Sequence, residues 1–399
     1  MNRERALGLA AAVLAGGVVT ALVAYALRRR GAGAPSTADA PPTPAQPPSQ
    51  PRPTPSPPAT EAQSHAKATT HYLAMIARGP LPSAAQSHDS SRATALYFAV
   101  HGLELLGALD AVLAGERRRA VVEWIYANQA ASGGFAGSPF APRSVRAGHV
   151  VATYSSLATL LALGDDLSRV DRAALTRWLR RLQHQGAGCF RATEEEGGGE
   201  ADLRFAYAAC ACSFMLGDWS GVDADACARF AGACRNADGG FGLVPGAETH
   251  GGALYTAVAS LTLLGKLREC LPAEADVRSL ARLCAEMQSG EDGGFCGRLA
   301  KPSDVCYGFW VGASLAMLGR AHVVNRDALR RFTRASAHAI GGFSKTRDEM
   351  PDPLHTYFGL WCDAVLCRVA APDPIAAALG VSERTSRRLA VLLMGRGAR

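Results

Sequence analysis

Absences narrow this 399-residue chain first. It has 11 cysteines, yet no two stand in a Cys-x-x-Cys spacing. An odd count, with Cys210, Cys212, Cys284, Cys362 and Cys367 inside apolar stretches, excludes a disulfide framework and reads as reduced intracellular thiols. No long basic stripe accompanies the formal charge of +7, so nucleic acid is not the expected partner, whereas a small anionic ligand fits. No stretch of convincing length alternates apolar and polar residues, which excludes an extensive sheet and leaves an all-α fold. What remains is 48% hydrophobic and 19% charged, enough core for one large domain.

The start of the chain stands apart. Within residues 1–30, Ala6 to Leu27 carries no charge and precedes Arg28-Arg29-Arg30. About 22 residues can cross a bilayer. The arginine bias then places the C-terminal bulk on the cytosolic side. A membrane anchor through residues 6–27 is therefore a candidate, beside a signal peptide, a mistaken start codon or a non-membrane extension. Residues 31–65, with Pro at 41, 42, 44, 47, 48, 51, 53, 55, 57 and 58, read as a disordered tether. The folded domain is expected over 66–399.

That domain repeats. Gly-Gly-Phe stands at 133–135, 239–241, 293–295 and 341–343, with Gly188-Cys189-Phe190 as a degraded copy. A period of about 50 residues marks stacked units. The motif reads as architecture: a helix cap and turn, with Phe in the core. Apolar helices are expected from near 92, 150, 204, 251, 304 and 355, each with an outer partner from near 66, 116, 171, 222, 276 and 325. Six hairpins that cannot bury their faces singly curl into a closed α/α toroid, inner helices lining the hole.

Chemistry gathers where the inner helices open. His149, Arg204, His250, Asp304 with Cys306, and His355 recur at one place in successive repeats, so they converge on one rim. The densest stretch is Gly297-Arg298-Leu299-Ala300-Lys301-Pro302-Ser303-Asp304-Val305-Cys306-Tyr307. A carboxylate and a thiol two apart at a helix entrance can face one point, and the helix dipole favours the thiolate. With His355 from the next repeat they make three zinc ligands and leave one position open. His250, Arg298, Lys301, Arg204 and Tyr307 form a cationic patch beside the metal. Tyr154, Tyr207, Tyr255, Phe309, Trp310, Tyr357 and Phe358 line a deep hole suited to a long hydrocarbon. Open zinc can hold an external thiol as thiolate, and the patch can stabilise a departing diphosphate. The reaction read from these residues is S-prenylation of a protein cysteine.

Several stretches resemble the β subunit of protein geranylgeranyltransferase type I: residues 148–154, 164–170, 202–207, 249–252, 301–310 and 352–359. The likeness spans about 70 to 390 with the repeats in register. It implies a heterodimer with a helical α subunit, and geranylgeranyl diphosphate as donor. The acceptors it implies are proteins ending in Cys-a-a-X, such as small GTPases, with X mainly Leu. It implies zinc at Asp304, Cys306 and His355, and diphosphate at His250, Arg298, Lys301, Tyr307 and Lys345. The isoprenoid positions match Thr94, Tyr154, Arg204, Tyr207, Trp310 and Phe358. The Cys-a-a-X pocket matches Thr94, Phe98, His149, Val151, Phe205 and Leu354.

Thr94 stands where farnesyl enzymes place tryptophan, which leaves room for a C20 chain. Lys345 stands where they place a magnesium-recruiting aspartate, so no magnesium requirement is expected. Ala208 and Thr256 depart from the cysteines common in the tunnel wall, and Val151 is bulkier than the expected alanine. Alternatives are a farnesyl or Rab-type β subunit and a non-catalytic toroid; a terpene cyclase would need Asp-rich motifs that are lacking. The expected location is cytoplasmic, with the catalytic domain facing the cytosol if the anchor is real.

Overall fold

A computed structural model describes residues 59–79, 83–139, 147–194, 200–368 and 370–397. Twelve helices alternate between two concentric layers. The outer layer comprises α1 (Ala59–Arg78), α3 (Glu116–Tyr126), α5 (Arg172–Leu182), α7 (Ala224–Ala233), α9 (Glu274–Glu286) and α11 (Arg326–Ala335). The inner layer comprises α2 (Arg92–Leu105), α4 (Val150–Leu163), α6 (Leu203–Leu216), α8 (Gly251–Leu263), α10 (Val305–Met317) and α12 (Pro353–Trp361). Two more, α13 (Pro374–Leu379) and α14 (Glu383–Gly397), follow the ring. A two-residue ribbon pairs β1 (Phe190–Arg191) with β2 (Ala201–Asp202).

Burial explains the layers. An outer helix is amphipathic: in α5, Leu175, Trp178, Leu179 and Leu182 are buried while Arg177 and Arg180 face solvent. An inner helix has neighbours on every side and is apolar around its girth, as in α4, where Val151 is the sole residue not buried.

Gly-Gly-Phe is architectural, but it is not the helix cap. The outer helices α5 and α9 end at Gln183 and Met287, and the glycines lie in the turn beyond. The first glycine has positive φ (118° at Gly133, 97° at Gly341) and lies against the next outer helix. A Cβ on Gly133 would meet the Ala174 backbone at 2.3 Å. The Phe that follows is buried in every copy and bridges back to the end of its outer helix. The last copy closes the circle: a Cβ on Gly341 would meet the backbone of Ala68 on α1, and Thr69 Oγ1 accepts the Gly342 N–H at 2.9 Å.

The chain differs from expectation at its start. Helix α1 begins at Ala59, immediately after the last proline, so residues 59–65 belong to the ring. Ala-rich composition favours helix there, and His65 Nε2 already lies 3.0 Å from Gly342 O. Residues 6–27, the candidate anchor, lie outside the described residues. No described helix is long and apolar enough to cross a membrane. All eleven cysteines are free thiols, as expected.

Candidate active site

The rim is built by one backbone device used five times. The first free N–H groups of an inner helix have no partner within the helix. In α4, α6, α8 and α10 the N–H of the first residue donates to a carbonyl two residues past the Phe of the following repeat: Val150 to Ala192, Leu203 to Leu243, Gly251 to Gly297, Val305 to Lys345. Ala93 on α2 donates likewise to Gly137. The last inner helix has no repeat after it, and its first residue is Pro353, which has no N–H to satisfy. These bonds fix the loop of each repeat against the helix entrance of the one before. They set Arg298 beside His250 and Lys345 beside Asp304.

Asp304 caps α10, its Oδ1 accepting the Cys306 N–H at 2.8 Å. On the neighbouring helix, His355 Nε2 lies 3.1 Å from Asp304 Oδ1. Ligand atoms of Asp304, Cys306 and His355 all fall within 4.8 Å of one another, and all three residues are buried. The expected grouping across two repeats is therefore present. His355 is itself fixed by Asp352, the cap of α12: Oδ1 accepts the His355 N–H at 2.9 Å and Oδ2 meets Nδ1 at 2.5 Å. With Nδ1–H donated to Asp352, Nε2 is directed at the cluster.

The cluster is electrostatically unsettled without a cation. Burial opposes charge on His355, but hydrogen bonds to Asp304, Asp352 and Cys306 outweigh it and hold the imidazole pKa well above its usual range. Burial likewise works to raise Asp304, yet the His355 hydrogen bond and charge, with Cys306, leave it below the usual carboxylate value. Burial pushes the Cys306 thiol up to about 12. A proton on His355 thus supplies the positive charge that the buried carboxylates demand. A divalent ion would supply that charge instead and ionise the thiol. One carboxylate, one thiolate and one imidazole are a zinc donor set, with bonds of about 2.0 to 2.3 Å. The residues fit the metal.

The flanking groups are at the entrance of α8 and in the loop before α10. His250 caps α8, Nδ1 accepting the Gly252 N–H at 3.1 Å. Its Nε2–H therefore meets Tyr307 Oη at 2.9 Å. Burial, then the Arg298 charge, depress the His250 pKa. Arg298 Nε lies 3.1 Å from Glu248 Oε2, while Lys301 and Lys345 are exposed. Arg204 is close enough for its charge to act on His250, but that charge is already paired. Its guanidinium is engaged by Asp202 and Glu200 on its own strand and helix entrance.

The aromatic positions come together in a circle. Tyr154, Tyr207, Tyr255, Phe309 and Tyr357 each stand five residues past the cap of their helix, Tyr97 six past Ser91. Their rings meet around the full circle, with neighbouring centroids 5.1 to 6.3 Å apart. Five residues of helix is about 7 to 8 Å of rise, so the circle of aromatics is set about that far along the inner helices from their caps. Trp310, half-buried, packs on Tyr255 and Phe358, and Phe358 stacks on Phe309 at 4.3 Å. Phe98 meets Phe358 at 5.6 Å. Thr94 Oγ1 accepts from Ser155 Oγ at 3.3 Å. His149 and Phe205 meet edge to face at 6.2 Å, and burial lowers the His149 pKa. Val151 and Leu354 are half-buried on the same rim.

Two residues escaped the sequence reading. Asp352 was visible as a carboxylate three before His355, the spacing of a helix cap. Glu248 gives no signal beyond standing two before His250.

A model of the prenyltransferase alpha-alpha toroid domain matches residues 65–376. The chain is 37% identical over 305 residues to an Arabidopsis thaliana geranylgeranyl transferase type-1 subunit beta, spanning 70% of this chain and 79% of that one. It is 31% identical over 308 residues to the Dictyostelium discoideum subunit of the same name, at 70% and 85%. A Schizosaccharomyces pombe protein farnesyltransferase subunit beta is 32% identical, at 75% and 76%. The fold matches a solved structure of Candida albicans protein geranylgeranyltransferase-I complexed with GGPP, at a TM-score of 0.69 and 23% identity, over 82% of this chain and 98% of that one. A repeat ring in register, a three-residue metal donor set on its rim and these likenesses agree: the chain belongs to the prenyltransferase alpha-alpha toroid family.

Proposed function

We propose that this chain is the catalytic β subunit of a protein geranylgeranyltransferase type I. It works with an α subunit and moves the C20 group of geranylgeranyl diphosphate onto the cysteine of a C-terminal Cys-a-a-X tail. The observation that carries the reading is the convergence of Asp304 and Cys306 with His355 of the next repeat, beside an exposed Arg298, Lys301 and Lys345. Type-1 relatives at 37% and 31% identity support the C20, type I form of it.

Zinc held by Asp304, Cys306 and His355 would bind the acceptor sulfur and lower its pKa. Asp352 keeps the His355 ring oriented and its proton on Nδ1. His250 donates its Nε2–H to Tyr307 and so aims the Tyr307 O–H as a donor to a diphosphate, to which Arg298, Lys301 and Lys345 offer charge. As the carbon–oxygen bond breaks, negative charge grows on the departing diphosphate, and these fixed groups stabilise it. Lys345 takes the place of a magnesium ion in that task. Thr94, Tyr154, Tyr207, Trp310 and Phe358 offer the chain an apolar bed. Arg204, held by two carboxylates, borders that bed with its charge already balanced. Phe98, His149, Val151, Phe205 and Leu354 line the pocket for X.

The test is co-expression with a prenyltransferase α subunit, followed by transfer of labelled geranylgeranyl to a peptide ending in Cys-a-a-Leu. Transfer that needs zinc, proceeds without added magnesium and prefers C20 over C15 diphosphate supports the reading. Preference for C15 makes the chain a farnesyl enzyme. No bound zinc and no transfer makes it a binding toroid.

A further inference from the structure

The closed end of the ring is an assembled device. Helix α13 is buried against α8 and α10 and turns its last carbonyls into the ring of aromatics. Tyr154 Oη donates to Leu379 O at 2.7 Å, and Tyr97 and Tyr357 both donate to Gly380 O, at 2.5 and 2.6 Å. Tyr255 Oη donates to Ala377 O and Ala378 O at 3.0 and 3.2 Å. Tyr207 Oη meets Tyr255 at 3.0 Å and Tyr154 at 3.3 Å. Phe309, the sixth ring, has no hydroxyl. The last carbonyls of a helix lack partners within it and carry the negative end of its dipole, so a circle of hydroxyl donors suits them.

A second lock holds the segment in place. Buried Glu104 on α2 accepts from Ser382 Oγ at 2.6 Å and from Thr385 Oγ1 at 2.8 Å. Arg388 donates to Leu161 O and Ala162 O at the end of α4. Gly380 is wedged: with φ +61°, a Cβ there would lie 2.7 Å from Tyr97 Oη and 3.0 Å from Tyr154 Oη.

We infer that residues 373–389 are a specificity element: they hold the six-ring floor shut, and that floor limits the length of prenyl chain the site accepts. All five hydroxyls are bonded on the α13 side or among themselves, so the rim side of the floor presents hydrocarbon alone. A chain one isoprene unit too long has nowhere to go unless the floor opens. This inference rests on the prenyltransferase reading given above.

The experiment uses the full chain co-expressed with an α subunit and supplied with zinc. Wild type, the Tyr97→Phe/Tyr357→Phe double variant and Gly380→Ala are compared for kcat/KM with C15, C20 and C25 diphosphates. Amide hydrogen exchange over 373–389 is read on the same samples. Fitting or excluding apolar groups changes rates by roughly 10 to 200-fold. The C25 to C20 ratio is therefore expected to rise by at least about tenfold in both variants, together with faster exchange in the segment. Faster exchange with an unchanged ratio overturns the inference, because the floor would then be loose without setting length. Unchanged exchange in both variants overturns it too, since the tyrosine bonds would not be what holds the segment. A wild type that transfers C20 while the variants keep its ratio sinks this inference alone. A wild type that transfers none of the three sinks the function as well.

Discussion

The third and fifth inner helices open on the same local design and end in different chemistry. Asp202 caps α6 and accepts the N–H of Arg204 two residues on, at 2.8 Å; Asp304 caps α10 and accepts the N–H of Cys306 at the same distance. The register one repeat further on decides the outcome. Three residues past the cap of α12 stands His355; three past the cap of α8 stands Ala253. Asp304 is therefore answered by an imidazole from the next repeat, while Asp202 is answered by the guanidinium of its own Arg204. Repetition supplies identical geometry at each entrance. A site exists only where two adjacent repeats carry complementary side chains.

His355→Ala breaks the comparison most severely, since it makes the fifth entrance resemble the third. Bound zinc should fall from one per chain to none, and prenyl transfer to background, by elemental analysis and peptide assay. Lys345→Ala should lower kcat by roughly 10²-fold with a smaller change in KM, as expected for a charge that acts mainly on the leaving group. Asp352→Asn leaves the ligands in place but removes the carboxylate that orients the ring. Zinc affinity should drop by about 10 to 100-fold, read by chelator competition.

Proton counting sharpens the same contrast. Near neutral pH without metal, Asp304 is ionised, the Cys306 thiol is protonated with its pKa at about 12, and His355 carries its extra proton. A bound ion needs thiolate and neutral imidazole. Binding should therefore release about two protons, and affinity should rise with pH by about two decades per unit across that range. Calorimetry in buffers of different ionisation enthalpy measures the release; a value near zero contradicts the assigned ligands. The third entrance, with Arg204 in place of a thiol, should contribute no such release.

The ring was legible because Gly-Gly-Phe demands backbone that only glycine adopts easily, at one spacing, and so set the phase of every helix. The metal group was legible because it follows from that phase. Other features depend on tertiary approach. Glu248 meets Arg298, and Arg204 turns to Glu200, through side-chain placement that spacing does not encode. The six aromatics were visible one by one, but whether their rings meet or leave a gap depends on the diameter of the barrel. The closing segment carries no repeat signal, so its Gly380 and the tyrosine circle around it could not be paired in advance.

The smallest effect tests the third entrance itself. If the Asp202 cap serves only the helix and its own arginine, Asp202→Ala should cost roughly 1 kcal/mol of stability, the usual loss for a capping side chain. Denaturant titration of the chain co-purified with an α subunit reads that cost, and zinc content should match that of the wild type. Arg204 would keep Glu200 as its partner. Freed from the buried carboxylate, its charge would lie closer in effect to His250, whose pKa Arg204 already depresses after burial, Arg298 and the opposing Glu248. KM for the diphosphate should therefore fall slightly, or not move, whereas the matching Asp304→Ala change should remove metal and activity together. Equal losses at the two entrances would mean that the repeats share one role and that the neighbour's side chain decides nothing.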